Sequence, residues 1–373
     1  MLQTKVKDLQ SQNCMNQMNS EVKVNAVYVV KNEWPLLAVS ISHALNHYAH
    51  KVIIIDTGSE DGIFAGMKVL QTFWKNRIEL YRIDQDIFDQ APLTNLLVQA
   101  SKEDHAEWTM ILDADEFFVH ENYVEFLERL SQTDRKWSSY AIKVINFIVN
   151  EEHEDSNLAA FGKIGHAVVG RNSMSIDNNE YVLQVLSGEI PLQLRITPDK
   201  ILVRNSSDVF ISQGGHQLVF GDGKWWEKHD SSVSSGSFLG GMICHLPHTS
   251  ERRFISRRKR NFFDQDETTN RLNFGILKSQ DITSLRSTAV LSEKNKERWL
   301  QSGVIMPNES FAQSIAPVIS RLERLWPQLT LAKFSKEAQS SFSDSLDLKI
   351  VSKLIRKYHS RAESLWNDGS HRE

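Results

Sequence analysis

The sequence predicts an α/β protein with a mixed, mainly parallel sheet flanked by helices. Strand-like and helix-like apolar patterns alternate from residue 25 to residue 112, and the strand-like runs are apolar along their whole length. Such runs are typical of strands buried on both faces, and alternation with helices makes neighbouring strands parallel. In order, we predict strands at 25–30, 51–55, 78–83 and 108–112, separated by helices at 36–47, 63–74 and 93–101.

The rest of the chain shows shorter patterns. Strand-like runs follow at 140–149, 200–204, 210–212 and 240–245, and helical apolar spacing returns at 315–325 and 348–358. The first residues are rich in Gln, Asn, Ser and Lys, a composition that does not build a core. We therefore divide the chain into a flexible leader over 1–23, a main domain over 24–275 and a C-terminal helical extension over 276–373.

Composition argues against several classes of protein. The 373 residues include 43 basic and 47 acidic side chains, a net charge of −4 that gives no general reason to bind nucleic acid. Two cysteines cannot form the disulfide framework of a small secreted domain. No apolar run reaches the roughly 20 residues that span a bilayer, and the N-terminus lacks the apolar core of a signal peptide. We expect a cytoplasmic protein without a nucleic-acid partner.

Polar residues follow each of the first four predicted strands. They are Lys31, Asn32 and Glu33 after the first, Asp56 to Ser59 after the second, Asp84 after the third, and Asp113 to Glu116 after the fourth. In a parallel sheet, ligands bind beyond the carboxyl ends of the strands. These segments should therefore meet in one cleft.

The acidic cluster Asp113, Asp115 and Glu116 carries the strongest chemical signal. Carboxylates placed this close raise one another's pKa, and a divalent cation removes that cost. Oxygen ligands suit Mg²⁺ or Mn²⁺, which bridge to substrate phosphates. A solvated acidic turn or a helix cap would have the same sequence, but the apolar residues on both sides, at 110–112 and 117–118, favour a buried site.

Four sequence blocks together resemble the family-2-type glycosyltransferases with the GT-A fold, especially a bacterial subgroup with an Asp-x-Asp-Glu-Phe signature. The blocks are 30–33, 55–62, 108–118, and the pair 200–204 with 243–247, and the resemblance extends over 24–262. It implies an inverting transfer of sugar from a nucleoside diphosphate sugar to a glycan or lipid-linked acceptor. A divalent cation, Mn²⁺ or Mg²⁺, would assist departure of the diphosphate.

The resemblance also implies roles for single residues. Asn32 and Glu33 would lie against the nucleotide, Asp56 would contact its base or ribose, Asp113 would lie near the ribose or the metal waters, and Asp115 would be a direct metal ligand. Glu116 is a supporting residue in this interpretation.

Metal sites of this fold often take a histidine from late in the domain. His245 and His216 are the candidates here. Ser59 and Asp61 are interpreted as caps of the following helix.

Residues 252–260 contain six positive charges, and Arg253 and Arg257 share one helical face. Three interpretations stay open: a solvated basic helix, a site for the donor diphosphate or an anionic acceptor, and a peripheral contact with the inner face of a membrane.

Inverting transfer needs a carboxylate near the acceptor hydroxyl. Glu152 and Asp155, in the acidic stretch 151–155, are the candidates, although a flexible acidic loop predicts the same sequence.

Two other functions compete with glycosyl transfer. A phosphohydrolase of the haloacid dehalogenase type also places Asp-x-Asp after an apolar strand, but that motif opens its fold, whereas here several strands precede it. The second alternative is a catalytically silent module that binds a nucleotide sugar or a glycan.

Overall fold

A computed structural model describes residues 22–83, 90–133, 138–169, 178–194, 197–205, 209–211, 213–216, 218–220, 239–251, 253–255 and 282–330. Thirteen strands lie in these ranges: β1 Val24–Val30, β2 Lys51–Asp56, β3 Ile78–Arg82, β4 Trp108–Ile111, β5 Glu116–Val119, β6 Ser139–Ile142, β7 Val144–Asn146, β8 His166–Val168, β9 Lys200–Arg204, β10 Val209–Ile211, β11 Leu218–Phe220, β12 Met242–His245 and β13 Ile305–Pro307. Ten helices accompany them: α1 Leu36–His47, α2 Ile63–Trp74, α3 Gln90–Glu103, α4 Tyr123–Ser131, α5 Leu158–Phe161, α6 Asn178–Leu186, α7 Ile282–Ser287, α8 Glu293–Gln301, α9 Ser310–Leu322 and α10 Trp326–Thr330.

The central sheet has the strand order β3-β2-β1-β4-β9-β6. Its first four strands are parallel, whereas β9 and β6 are antiparallel to their neighbours. The predicted mixed, mainly parallel sheet flanked by helices is therefore confirmed. A second sheet, β5-β12-β7, begins with Glu116, the last residue of the acidic cluster. The predicted strand at 140–149 is instead divided into β6 and β7, which belong to different sheets.

Strand β1 shows why the apolar runs lack polar alternation. Ala26 and Tyr28 point into a core that contains α1 and α2, while Val27 and Val29 point into a core that contains α3. Every residue of the strand is buried. Helices thus cover both faces of the sheet, as expected for parallel strands.

Part of the predicted helical extension packs against the same core. Phe311 of α9 contacts Phe117 of β5 with ring centroids 5.0 Å apart, and Trp326 of α10 donates to the Ser156 carbonyl at 2.6 Å. Trp34 donates through Nε1 to the Leu329 carbonyl at 2.7 Å. Residues 310–329 therefore pack against β5 and against the segments that contain Trp34 and Ser156. The predicted helix at 348–358 and most of the leader lie outside the described residues.

The loop after β2 is stabilised by side chains that the sequence analysis interpreted as helix caps. Asp61 accepts from the Trp34 amide at 2.7 Å, and Ser59 accepts from the Asn32 amide at 2.7 Å. The α2 N-cap is Gly62, which has no side chain to offer. The capping interpretation was wrong, because these hydroxyl and carboxyl oxygens bind the neighbouring β1 loop instead.

Two histidines of α1 pack against α9, His43 fully buried and His47 half-buried. His43 Nε2 lies 2.5 Å from the Ser314 hydroxyl, and His47 Nε2 lies 2.8 Å from the Ser314 carbonyl. Burial lowers the pKa of His47 to about 4, and burial together with His47 lowers the pKa of His43 well below its ordinary value. Both rings are therefore neutral at pH 7.

We expect acid to destabilise the protein through these rings. The unfolded chain binds protons at His47 from about pH 6.5 downward, whereas the folded chain does not until about pH 4. Stability is therefore complete above pH 6.5 and falls as the pH drops toward 4, by about 3 kcal/mol from His47 alone. Urea unfolding at pH 7, 6 and 5 measures this slope. A His43→Gln/His47→Gln double variant should show a flatter profile, and an unchanged slope would contradict this origin.

Candidate active site

The site lies beyond the carboxyl ends of β1, β2 and β4. Asn32 ties the first two loops together, because its side-chain Oδ1 accepts from the Glu60 backbone N–H at 2.7 Å and its own backbone N–H donates to the Ser59 hydroxyl. Asn32 has φ 56°, a left-handed conformation that asparagine tolerates better than most residues. Asp84, the predicted segment after β3, lies outside the described residues.

Asp56 is fully buried at the end of β2. Its carboxylate accepts from the Ser59 amide at 3.1 Å and lies 3.4 Å from Arg82 Nη1. The Arg82 guanidinium in turn lies over the Phe64 ring, 4.3 Å from its centroid. The structure therefore places Asp56 where it orients both its own loop and Arg82.

The acidic cluster forms the turn between β4 and β5. Glu116 closes this turn, because its carboxylate accepts from the Asp113 amide at 2.8 Å and its amide donates to the Asp113 carbonyl at 3.0 Å. Asp115 and Glu116 are buried, whereas the Asp113 side chain is 34% exposed. Asp113 is thus the member of the cluster that faces solvent.

Lys200, the first residue of β9, neutralises one side of the turn. Its ammonium lies 3.0 Å from Asp113 Oδ2 and 3.0 Å from Glu116 Oε2, and its side chain is 0% exposed. Gln90 donates to the other Asp113 oxygen at 2.8 Å. Burial alone would lower the pKa of Lys200, but the two carboxylates raise it above its ordinary value. Burial raises the pKa of Glu116, and the Lys200 charge opposes that rise.

The other side of the turn is Asp115, which meets His245 and Arg253. His245 Nε2 lies 3.3 Å from Asp115 Oδ2, and Arg253 Nη2 lies 3.4 Å from the same oxygen. His245 reaches this position because β12 pairs with β5, which places His245 opposite Glu116. The structure therefore brings together two residues, Asp115 and His245, that the sequence predicted as metal ligands.

Arg253 is buried among carboxylates. Its guanidinium lies 2.7 Å from Glu33 Oε2 and donates to Thr249 Oγ1 at 3.1 Å. Burial would lower its pKa, but Glu33, Asp115 and Asp155 raise it above the ordinary value. Arg253 therefore holds these carboxylates together, and its contact with the donor diphosphate stays a prediction. Arg257 lies outside the described residues.

The two candidates for the base differ in environment. Asp155 is buried, accepts from the Ser250 hydroxyl at 2.9 Å and lies 3.7 Å from His153 Nε2. Burial works to raise the pKa of Asp155, but His153 and Arg253 lower it below its ordinary value. That environment makes Asp155 a weak proton acceptor. Glu152 is exposed in the turn that follows β7.

His216 lies on the Lys200 side of the turn. Its Nδ1 donates to the Asp199 carbonyl at 3.0 Å. Burial and then the Lys200 charge lower its pKa. It therefore neighbours the cation that balances Asp113, whereas His245 contacts Asp115 directly.

The sequence argument for a metal rested on the cost of adjacent carboxylates, and the structure shows that buried cations meet part of that cost. Lys200 and Arg253 both contact the cluster, and sequence reasoning missed Lys200 as a site residue. A lysine at the first position of an otherwise apolar strand was the available signal. Within the described ranges, no three His, Cys, Asp or Glu side chains are grouped so as to hold a metal ion by themselves. In the same part of the chain, no helix is both long enough and apolar enough to cross a membrane.

Comparison with known protein families finds a match over part of the chain. Residues 26–184 match the model described as Glycosyl transferase family 2. This match contains most of β1 and all of β2 to β8, and therefore the acidic cluster. No curated protein sequence matches the chain.

Several solved structures resemble the chain weakly. TarS 1-349 from S. aureus is 10% identical, with 83% of this chain and 87% of that chain covered and a TM-score of 0.31. A longer TarS structure is 9% identical with a TM-score of 0.30, and the alignment covers 83% of this chain but only 52% of that one.

Glucosyl-3-phosphoglycerate synthase from Mycobacterium tuberculosis, solved with Mn²⁺, uridine-diphosphate and glucosyl-3-phosphoglycerate, is 11% identical. The alignment covers 50% of this chain and 58% of that chain, with a TM-score of 0.24. These similarities are too low to add to the family match. That match and the mixed, mainly parallel sheet confirm the predicted resemblance to the family-2 glycosyltransferases, and residues 26–184 form a glycosyltransferase family 2 segment of this chain.

Proposed function

We propose that this glycosyltransferase uses a nucleoside diphosphate sugar as donor and a divalent cation, Mn²⁺ or Mg²⁺, held by Asp115 and His245. The observation that supports this proposal best is the 3.3 Å separation of His245 Nε2 from Asp115 Oδ2. Two ligands of one cation with bonds of about 2.1 Å lie roughly 3 Å apart when they occupy adjacent positions. The two side chains therefore fit a shared ion.

The surrounding charge also suits a cation. Five carboxylates lie within this network, those of Glu33, Asp113, Asp115, Glu116 and Asp155, against the two permanent cations Lys200 and Arg253. With all five ionised, a net negative charge remains. Two protein ligands leave positions for water and diphosphate oxygens, as is usual for Mg²⁺ sites that bind nucleotides. The bound cation would supply charge neutralisation to the departing diphosphate.

The residues of the chain would divide the remaining work. Asn32 and Asp56 shape the loops at the ends of β1 and β2, where the nucleotide would lie. Asp113, as the solvent-facing member of the cluster, would meet the ribose or the metal-bound water. Glu33 would act through Arg253, which it holds beside Asp115.

For the acceptor, we propose a glycan or a lipid-linked sugar and an inverting reaction. Of the two predicted bases we retain Glu152, because its exposed carboxylate can take a proton from an incoming hydroxyl. Asp155 is set aside because its hydrogen bond with Ser250 and the charge of Arg253 stabilise its ionised form. The family match removes the reason to consider a phosphohydrolase of the haloacid dehalogenase type.

Thermal unfolding in the presence of donors tests this proposal. A panel of uridine, guanosine, adenosine and cytidine nucleotide sugars is added with Mn²⁺, with Mg²⁺, or with a chelator. We expect one nucleotide class to raise Tm by several degrees, and only with metal, because a ligand at 100 times its Kd stabilises by about 2.7 kcal/mol. The matching nucleoside monophosphate serves as the control that lacks the diphosphate. An equal response to all donors, or a shift that survives chelation, would contradict the proposal.

A further inference from the structure

The metal role of His245, which belongs to the proposed function, requires that its Nε2 atom carry a lone pair and not a proton. Neutral imidazole has one protonated and one unprotonated ring nitrogen, and a metal binds the unprotonated one. Which nitrogen is protonated is decided by the hydrogen bond of the other nitrogen. In this molecule that bond is made with Asn146, where His245 Nδ1 and Asn146 Oδ1 are 2.8 Å apart.

The strand pairing places Asn146 beside His245. Strand β12 lies between β5 and β7, and His245 is in register with Glu116 on one side and Asn146 on the other. Residues in register on neighbouring strands project to the same face of a sheet. Glu116, His245 and Asn146 therefore form a row across the second sheet, and this row starts at the acidic turn.

The orientation of the Asn146 amide is determined by its other partners. Its Nδ2 donates to the Gln193 backbone carbonyl at 2.9 Å, and a carbonyl oxygen can only accept. Its Oδ1 also accepts from the Thr197 hydroxyl at 3.1 Å. The amide oxygen must therefore face His245, and since that oxygen cannot donate, His245 Nδ1 must carry the hydrogen.

A hydrogen on Nδ1 determines what the second ring nitrogen of His245, Nε2, can bind. With hydrogen on Nδ1, a neutral His245 ring has its lone pair on Nε2, and Nε2 lies 3.3 Å from Asp115 Oδ2. His245 Nε2 and Asp115 Oδ2 would then both be acceptors without a hydrogen between them, and a cation bound by both atoms would relieve their repulsion. We infer that Asn146 is a positioning residue for the metal site, which holds His245 in the tautomer that can bind the ion.

The supporting partners belong to a different part of the molecule. Gln193 Nε2 donates to the Ala289 carbonyl at 2.5 Å, and Ala289 lies in a hydrophobic cluster with Leu194 and Trp299. The segments around 192–194 and 282–299 thus hold the amide that orients His245. This explains how residues far beyond the family match contribute to the proposed site.

Long-range ¹⁵N–¹H spectra of histidine-labelled protein read the tautomer directly, without metal or substrate. The His245 signal is assigned by its loss in His245→Gln. In the wild type at pH 8 we expect hydrogen on Nδ1, and in Asn146→Ala we expect a shift toward the form with hydrogen on Nε2. A wild-type ring with hydrogen on Nε2, or a ring in Asn146→Ala that keeps hydrogen on Nδ1, would overturn the inference whatever the fate of the proposed function.

Mn²⁺ titration followed by electron paramagnetic resonance gives the second measurement. We expect Asn146→Ala to weaken Mn²⁺ binding by about 10- to 100-fold, the usual effect of removing the partner of a metal-binding histidine. The matched control is Thr197→Val, which removes a hydrogen bond to the same Asn146 oxygen but leaves the contact with His245, and should change binding by less than about threefold.

Asn146→Asp keeps the test decisive if the alanine variant does not fold. The carboxylate preserves the acceptor for His245 Nδ1 while losing the donor to Gln193, so we expect the wild-type tautomer and near wild-type Mn²⁺ affinity. An Asn146→Asp ring with hydrogen on Nε2 would overturn the inference. If the wild type binds no Mn²⁺, the inference and the proposed function both fail. If Asp115→Asn weakens binding and Asn146→Ala does not, the inference alone fails.

Discussion

Asp115→Asn is expected to lower kcat/KM for metal-dependent sugar transfer by at least about 100-fold, the largest effect on activity that we predict. Asparagine has nearly the same shape as aspartate, so the contacts with His245 and Arg253 can be kept while the negative charge is lost. A metal that stabilises charge in the transition state contributes several kcal/mol, and each 1.36 kcal/mol is about tenfold in rate. Steady-state kinetics with saturating Mn²⁺ and the donor found by thermal screening measure the loss.

Asp104→Asn is the matched control for this prediction. Asp104 follows α3 and accepts from Asn25 Nδ2 at 3.1 Å, near the start of β1 and therefore at the opposite edge of the sheet. Its side chain is 23% exposed and lies away from the acidic turn, so its loss should leave kcat/KM within about twofold. Asp115→Asn with more than a third of wild-type activity would show that the carboxylate charge is not needed for transfer.

Lys200→Met is expected to destabilise the folded protein by about 3–5 kcal/mol, the largest effect on stability that we predict. The ammonium is 0% exposed and lies 3.0 Å from carboxylate oxygens of both Asp113 and Glu116. Removing one partner from a buried ion pair leaves the opposite charge without compensation and out of reach of water. Methionine keeps the length and apolar stem of the side chain, so that the charge is the main change. Urea unfolding at pH 7.5 gives the difference in free energy of unfolding.

Lys51→Met provides the comparison, because Lys51 also bridges two carboxylates. Its partners are Glu79, at 2.8 Å, and Asp104, and their side chains are 39% and 23% exposed. Water can solvate these carboxylates when the lysine is lost, so we expect a cost of about 1 kcal/mol or less. Equal costs for the two variants would mean that the Lys200 cluster is solvated in solution.

The two predictions separate two ways of balancing the same acidic turn. Lys200 is a permanent part of the fold and neutralises the Asp113 and Glu116 side. On the Asp115 side, Arg253 faces the three carboxylates of Glu33, Asp115 and Asp155, so the larger excess of negative charge lies there. This division is supported if activity requires a metal ion and if the stability of the fold requires Lys200.

The sequence determined much of the fold because the relevant signals are local. Helices α1 and α2 and strand β9 coincide with their predicted bounds, and β1 to β4 begin or end within one residue of prediction. Apolar runs of strand length and helical spacing are read within a window of a few residues, and they identify buried strands and covering helices directly. The position of the acidic cluster after β4 followed from the same reading.

Charge balance and hydrogen-bond direction were decided by the tertiary structure. Lys200 lies 84 residues or more from the acids it neutralises, and Asn146 meets His245 across 99 residues because β7 and β12 are neighbours. The pairing of distant strands has no local sequence pattern. For the same reason the sequence could not show that Asp61 and Ser59, which precede a helix as capping residues do, accept hydrogen bonds from the loop after β1. The sequence by itself therefore determined that a carboxylate site follows a buried strand. Only the tertiary structure decided which cations balance it and which histidine faces it, because pairing of distant strands brings those side chains together.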